Sequence, residues 1–156
     1  VDLQLVEVTE LTPAVSVMLS ECIERGELVV IVGDRISAQA PERAVWADFL
    51  GKPAPFAIGP WVLASVLQCP VYLMFCMRQD NGYNLIFEPF AEQLQLSRKT
   101  RQQALQAVVQ QYAQQLEQVA CRYPLQWFNF YDFWQLPAAS QHKLSQQKEA
   151  SGDSST

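Results

Sequence analysis

The 156-residue chain has one histidine, His142, and none of its four cysteines, Cys22, Cys69, Cys76 and Cys121, forms a C-x-x-C pair. Those shortages argue against a zinc site and a disulfide framework, leaving reduced thiols as the expectation. No serine triad, Walker loop or metal constellation is visible, so no cofactor and no metal are expected. No apolar run approaches the ~20 residues that span a bilayer, and no signal-peptide pattern opens the chain. Positive charge is scarce as well: eleven Lys and Arg stand against sixteen Asp and Glu, for a net charge of -5. Without a cationic field to attract a phosphate backbone, nucleic acid is not an expected partner.

What the chain does have is apolar content, 49% of residues, enough for one core and too little length for two ordinary domains. The pattern divides it into a folded part, residues 1–135, and a tail, residues 136–156, whose Ser, Gln, Lys and Asp bury nothing and predict disorder. Val1, Leu3 and Leu5 alternate from the first position, which reads as entry part-way through a fold.

Along the folded part, Thr12-Pro13 caps and opens a helix that Gly26 stops, with Val15, Met18, Leu19, Cys22 and Ile23 at helical spacing. Leu28 to Val32 is continuously apolar and β-branched, which predicts a central strand covered on both faces. Val45, Ala47 and Phe49 predict a short strand before a Gly-Lys-Pro turn. Gly59 and Pro60 open a helix that ends before Pro70. "VYLMFCM" and "YNLIFEP" are strands joined at Asp80-Asn81-Gly82, a hairpin signal. From Ser97 a long helix keeps Leu105, Val108, Val109, Tyr112, Leu116 and Val119 on one stripe among glutamines. The expected class is α/β, with a central mixed sheet flanked by helices.

Asp34 and Arg35 follow the predicted central strand, at the carboxyl end where open α/β sheets bind ligands. Arg35 there grips a phosphate or carboxylate, or else the two form a structural ion pair closing the loop. Arg43, and the Arg98, Lys99, Arg101 cluster, are the other concentrations of positive charge. The cluster opposes a helix dipole, which a nearby anion or anionic headgroups would relieve, and reads first as a solvated face. In "YPLQWFNFYDFW" six aromatics fall within eight positions. Composition favours a plug in the core, against an acyl-pocket wall or a membrane-interface belt. His142, in the polar tail, lacks the packed support a general base needs.

Taken in order, "VVIVGDRIS", "VWADFLGKPAPFAIGPWVLA", "CPVYLMF", "YNLIFEPF" and "YPLQWFNFYDFW" resemble the carboxyl-terminal half of the lysophospholipid acyltransferase superfamily. The nearest branch is the lipid A biosynthesis (lauroyl/myristoyl) acyltransferase-like group, including the acyltransferases of aryl-polyene pathways, and the likeness runs from Val1 to Trp134. It implies a partial glycerolipid acyltransferase-like domain. It also implies acyl transfer from a thioester of acyl carrier protein or coenzyme A to a hydroxyl of a glycolipid or lysolipid. The family's general base lies in a His-x4-Asp motif that this sequence does not contain, so no catalytic residue is assigned within it. "GDR" is similar to the family's acceptor-binding block and "AIGPWVLA" to the glycine-led helix after it. The expected substrate-binding residues are therefore Asp34, Arg35, Arg43, Gly59 and Pro60.

The resemblance further implies work at a membrane surface, the cytoplasmic face of the bacterial inner membrane. Two other readings stand beside it: a non-catalytic acyl- or lipid-binding module, and an inactive fragment that exposes part of its sheet.

Overall fold

The computed structural model describes residues 4–6, 12–36 and 43–135, so Val1 and Leu3, the tail from residue 136 and His142 lie outside the described residues. Helix α1 (Pro13–Glu24) begins as the Thr-Pro signal predicts: the Thr12 hydroxyl accepts from the Val15 N–H at 3.3 Å.

Strand β1 (Ala44–Phe49) pairs antiparallel with β2 (Lys52–Ala57) across a two-residue turn, Leu50-Gly51. Both turn residues have positive φ, 51° and 78°, the backbone hand that lets a tight turn match the twist of its strands. The expected Gly-Lys-Pro turn is therefore displaced, and Lys52 and Pro53 belong to a strand that the prolines hid. Pro53 faces Asp48 and Pro55 faces Trp46. With the turn closed by Phe49 and Lys52, alternation makes both of these the pairs that exchange no hydrogen bonds, so the missing proline N–H groups leave no gap in the ladder.

By the same alternation the backbone of Trp46 and Asp48 points away from β2. Helix α3 (Arg101–Arg122) supplies the partners. Gln106 donates to the Trp46 carbonyl at 2.7 Å, and Gln110 accepts from the Asp48 N–H at 2.9 Å while donating to its carbonyl at 3.1 Å. Glu117 accepts from the Leu50 N–H at 2.8 Å. The helix thus occupies the edge that a further strand would take. Of its expected apolar stripe, Leu105, Val109, Tyr112 and Leu116 are buried in one core with Phe49, Phe56 and Trp61, joined by Ala113, while Val108 and Val119 are only half-buried.

Helix α2 (Gly59–Leu67) ends at Gln68 in the left-handed conformation. Strands β3 (Val71–Gln79) and β4 (Gly82–Ala91) form the hairpin expected at Asp80-Asn81.

The α/β class holds, with three α-helices and two antiparallel pairs, β1–β2 and β3–β4, among the described residues. The single central sheet is divided, and its expected middle strand differs most. Leu28 to Val32 forms no strand and is unpaired, with Leu28 81% and Val30 71% exposed. Apolar β-branched sequence favours an extended backbone, but a strand needs a partner edge, and no other described backbone hydrogen-bonds to this one.

Candidate functional site

A cavity of about 510 Å³ is lined by Leu28–Asp34 and by Val71–Met77. Trp61 and Leu63 of α2 and Tyr112, Leu116 and Ala120 of α3 complete its wall, on which Asp34 is the one charged side chain among the described residues. A carboxylate at the rim of an apolar space gives such a site a polar end and an apolar body.

Arg35 lies beside that carboxylate, its Nε 3.7 Å from Asp34 Oδ1, with the guanidinium about half exposed. Its position is set by the aromatic stretch: Nη2 donates to the Phe128 carbonyl at 3.2 Å and the guanidinium carbon stands 5.2 Å from the Tyr131 ring centroid. The Tyr131 hydroxyl in turn donates to the Asp34 carbonyl at 3.4 Å. The ion pair is long and open to water, so by itself it adds little stability. Braced on one side and exposed on the other, the guanidinium keeps N–H donors for an anionic group.

Of the residues expected to bind substrate, the structure brings Asp34 and Pro60 onto the cavity wall and Arg35 to its rim. Gly59 starts α2 but does not line the space, and Arg43 is an exposed residue whose carbonyl accepts from the Ile58 N–H at 3.1 Å. Arg98, Lys99 and Arg101 are exposed at the start of α3, as the solvated-face reading has it.

The aromatic stretch divides in two. Trp127, Phe133 and Trp134 lie with their ring centroids 5.2, 5.3 and 6.3 Å from that of Phe49, and the Trp134 indole donates to the Phe49 carbonyl at 3.2 Å. That half is the expected plug. Phe128 and Phe130 point outward, Phe130 being 91% exposed.

Sequence reasoning placed Tyr112 on the core stripe and missed its second role. Its ring packs against Phe56 and Trp61, at 5.9 and 5.1 Å between centroids, and its hydroxyl reaches the backbone at Gly33. Burial, and then the negative charge of Asp34, push the Tyr112 hydroxyl well above its ordinary value, so it stays protonated beside the carboxylate. Helical spacing could not reveal this, because it gives the face a tyrosine occupies and not where its hydroxyl ends.

Among the described residues, no helix is long and apolar enough to cross a membrane. A family model described as bacterial lipid A biosynthesis acyltransferase matches residues 11–135. No curated protein and no solved structure matches the chain.

Proposed function

Because the chain belongs to the bacterial lipid A biosynthesis acyltransferase family, we propose that it serves transfer of a fatty acyl group from a thioester to a hydroxyl of a glycolipid or lysolipid. The donor is acyl carrier protein or coenzyme A. In this reaction the acceptor oxygen bonds to the thioester carbonyl carbon, the carbon–sulfur bond breaks, and the hydroxyl proton ends on the departing thiol. A general base must take that proton first. The 156 residues contain no His-x4-Asp, so the base comes from residues outside this sequence, and this chain supplies the binding of the acceptor.

The observation that carries the reading is the Asp34–Arg35 pair, held at the rim of an apolar cavity by Phe128 and Tyr131. In this reading Arg35 binds the acceptor's phosphate or other anionic group, and Asp34 orients the guanidinium or accepts from an acceptor hydroxyl. Acyl and glycolipid substrates place the work at a membrane surface, taken here to be the cytoplasmic face of the bacterial inner membrane. Exposed Phe128 and Phe130 next to Arg35 suit that surface, where aromatic and cationic side chains are favoured together.

The test is transfer of labelled acyl groups from acyl carrier protein to a phosphorylated glycolipid by the complete enzyme. Arg35→Ala should lower turnover about 10- to 100-fold, the scale of a lost charge-assisted hydrogen bond, with an unchanged unfolding midpoint. Near-normal turnover removes Arg35 from the site. The absent His-x4-Asp favours a second reading, a module that binds acyl or lipid groups without transferring them. Binding of acyl carrier protein or lysolipid with no transfer by the complete protein would select it.

A further inference from the structure

Two polar side chains meet the apolar cavity at one place. The Tyr112 hydroxyl reaches across the core to Gly33, where a Cβ would lie 2.8 Å from its oxygen, and Asp34 is the next residue of the chain. Only a glycine leaves the hydroxyl room so close to that backbone. Tyr112 and Asp34 both line the cavity, and both are shielded from water, Tyr112 being 7% exposed and the Asp34 side chain 20%. The carboxylate acts on the phenol through its charge, with no hydrogen bond between the two. A neutral O–H donor and an ionised acceptor thus stand near each other on the wall of one space without satisfying each other.

Three other polar groups of the wall are occupied or closed off. The Gln126 amide is held by the Arg78 backbone, accepting from its N–H at 2.7 Å and donating to its carbonyl at 3.0 Å. The indole N–H groups of Trp61 and Trp127 are buried away from solvent.

Charge and hydrogen bonding decide what fits beside Tyr112 and Asp34. A carboxylate or phosphate inside the cavity would be repelled by Asp34. An ammonium would meet the charge of Arg35, whose Nε already stands 3.7 Å from Asp34 Oδ1. A hydrocarbon offers neither donor nor acceptor and would leave both groups unpaired once it had displaced water. A hydroxyl has one proton to give and lone pairs to receive another, so a single O–H can donate to Asp34 and accept from Tyr112.

We propose that Tyr112 and Asp34 together bind one hydroxyl group of an amphiphile whose apolar body fills the cavity, which makes Tyr112 a specificity-determining residue. On the acyl-transfer reading, on which this further step rests, the hydroxyl belongs to the acceptor, and Arg35 at the rim takes the acceptor's anionic group. The phenol suits this role because burial keeps it protonated, so it offers a donor beside the carboxylate throughout the neutral pH range. A site built to hydrogen-bond a hydroxyl rejects the analogue that lacks it, because its own buried polar groups are then left unpaired.

Binding to the full chain tests this with 1-octanol and with 1-chlorooctane, the same chain bearing chlorine for the hydroxyl. Tryptophan emission reads it, since Trp61 and Trp127 line the cavity. Tyr112→Phe should weaken 1-octanol binding about 3- to 10-fold, one net neutral hydrogen bond, and Asp34→Asn about ten-fold or more, a bond to a charged acceptor. Neither variant should change the binding of 1-chlorooctane, which also shows that the cavity is intact. Equal losses for both ligands would make Tyr112 a packing residue, and undiminished 1-octanol binding would leave the hydroxyl without these partners; either overturns the proposal. Tighter binding of octylamine than of 1-octanol would assign the pair to a cation and overturn it too. In the complete enzyme acting on a phosphorylated glycolipid, Tyr112→Phe should raise KM for the acceptor about 3- to 10-fold and leave KM for the thioester donor unchanged. A rise for the donor alone, or for neither substrate, would overturn the assignment to the acceptor. No transfer by the wild-type complete enzyme would remove the acyl-transfer reading and that assignment with it, while the 1-octanol comparison decides the two-point contact separately.

Discussion

Gln110 holds both backbone groups of Asp48, accepting from its N–H at 2.9 Å and donating to its carbonyl at 3.1 Å. One side-chain amide therefore replaces the residue of a neighbouring strand at the outer edge of β1. Gln110→Met keeps the length of the side chain and removes both bonds, and should cost about 1–2 kcal/mol, two net neutral hydrogen bonds partly replaced by water. Urea unfolding reads this directly, and an unchanged midpoint would show that water satisfies the edge as well as the amide does.

Gly33 is required by its neighbour rather than by its own backbone. A Cβ there would lie 2.8 Å from the Tyr112 hydroxyl oxygen and 3.0 Å from the ring carbon bearing it. Phe56 and Trp61 pack against that ring, so it has little room to retreat. Gly33→Ala should destabilise the fold by about 1–3 kcal/mol, the usual cost of overpacking. In Tyr112→Phe the nearest clashing atom is gone, and the alanine should cost measurably less. Additive losses in this double-mutant cycle would place the strain elsewhere.

Tyr112 also predicts a pH dependence. Its folded value is raised above the ordinary 10.0, so the folded chain keeps a proton that the unfolded chain releases first. The stabilisation is complete below about pH 10 and is lost as pH climbs through the folded value. Tyr112→Phe has no such group. Its stability relative to the wild type, from urea unfolding between about pH 8 and 11, should be constant at the lower end and rise above about pH 10. Parallel curves throughout would mean that the hydroxyl titrates alike in both states.

The turn between β1 and β2 carries a leucine where the backbone is left-handed: Leu50 has φ 51° and is partly exposed. A left-handed L-residue costs about 1–2 kcal/mol, and Asn-Gly is the favoured pair for this turn. Leu50→Asn should therefore raise stability by about 0.5–1 kcal/mol, part of that cost. The Glu117 bond to the residue 50 N–H is a backbone contact and should survive. A lower unfolding midpoint would show that the leucine side chain contributes more by packing than its backbone costs.

Much of the fold was legible because the signals were local. Thr12-Pro13 and the buried stripe of α3 stand where their spacing puts them, and Asp80-Asn81 turns the second hairpin. Strand β2 was hidden because Pro53 and Pro55 read as strand breakers. Their tolerance depends on facing Asp48 and Trp46 in pairs without hydrogen bonds, which is a matter of register. The glutamines of α3 stand beside its apolar stripe with no role legible in their spacing, yet Gln106 and Gln110 serve β1, a contact made across about sixty residues of chain. For the site, "GDR" drew attention to Asp34, which lines a ligand-sized space, and to Arg35 beside it, while the contacts of Gly33, Tyr112 and Tyr131 needed three distant segments to meet. Leu28 to Val32 shows the limit most clearly: its sequence specifies extension, and only a partner edge makes that extension a strand.

The aromatic stretch should separate under mutation into its two halves. Phe133 is 3% exposed and lies against Phe49, Phe56 and Trp127, so Phe133→Ala should cost about 3–5 kcal/mol. Phe130 is almost fully exposed and Phe128 largely so, so Phe128→Ser with Phe130→Ser should leave the unfolding midpoint within about 0.5 kcal/mol of the original. If these outward rings meet the membrane interface as proposed, that second pair should also weaken sedimentation with phosphatidylglycerol-containing vesicles several-fold. The Phe128 carbonyl that holds Arg35 is backbone and remains, so a loss would come from the rings rather than from a displaced guanidinium. Equal vesicle binding by the wild type and the serine pair would remove the aromatic surface from the membrane-docking reading.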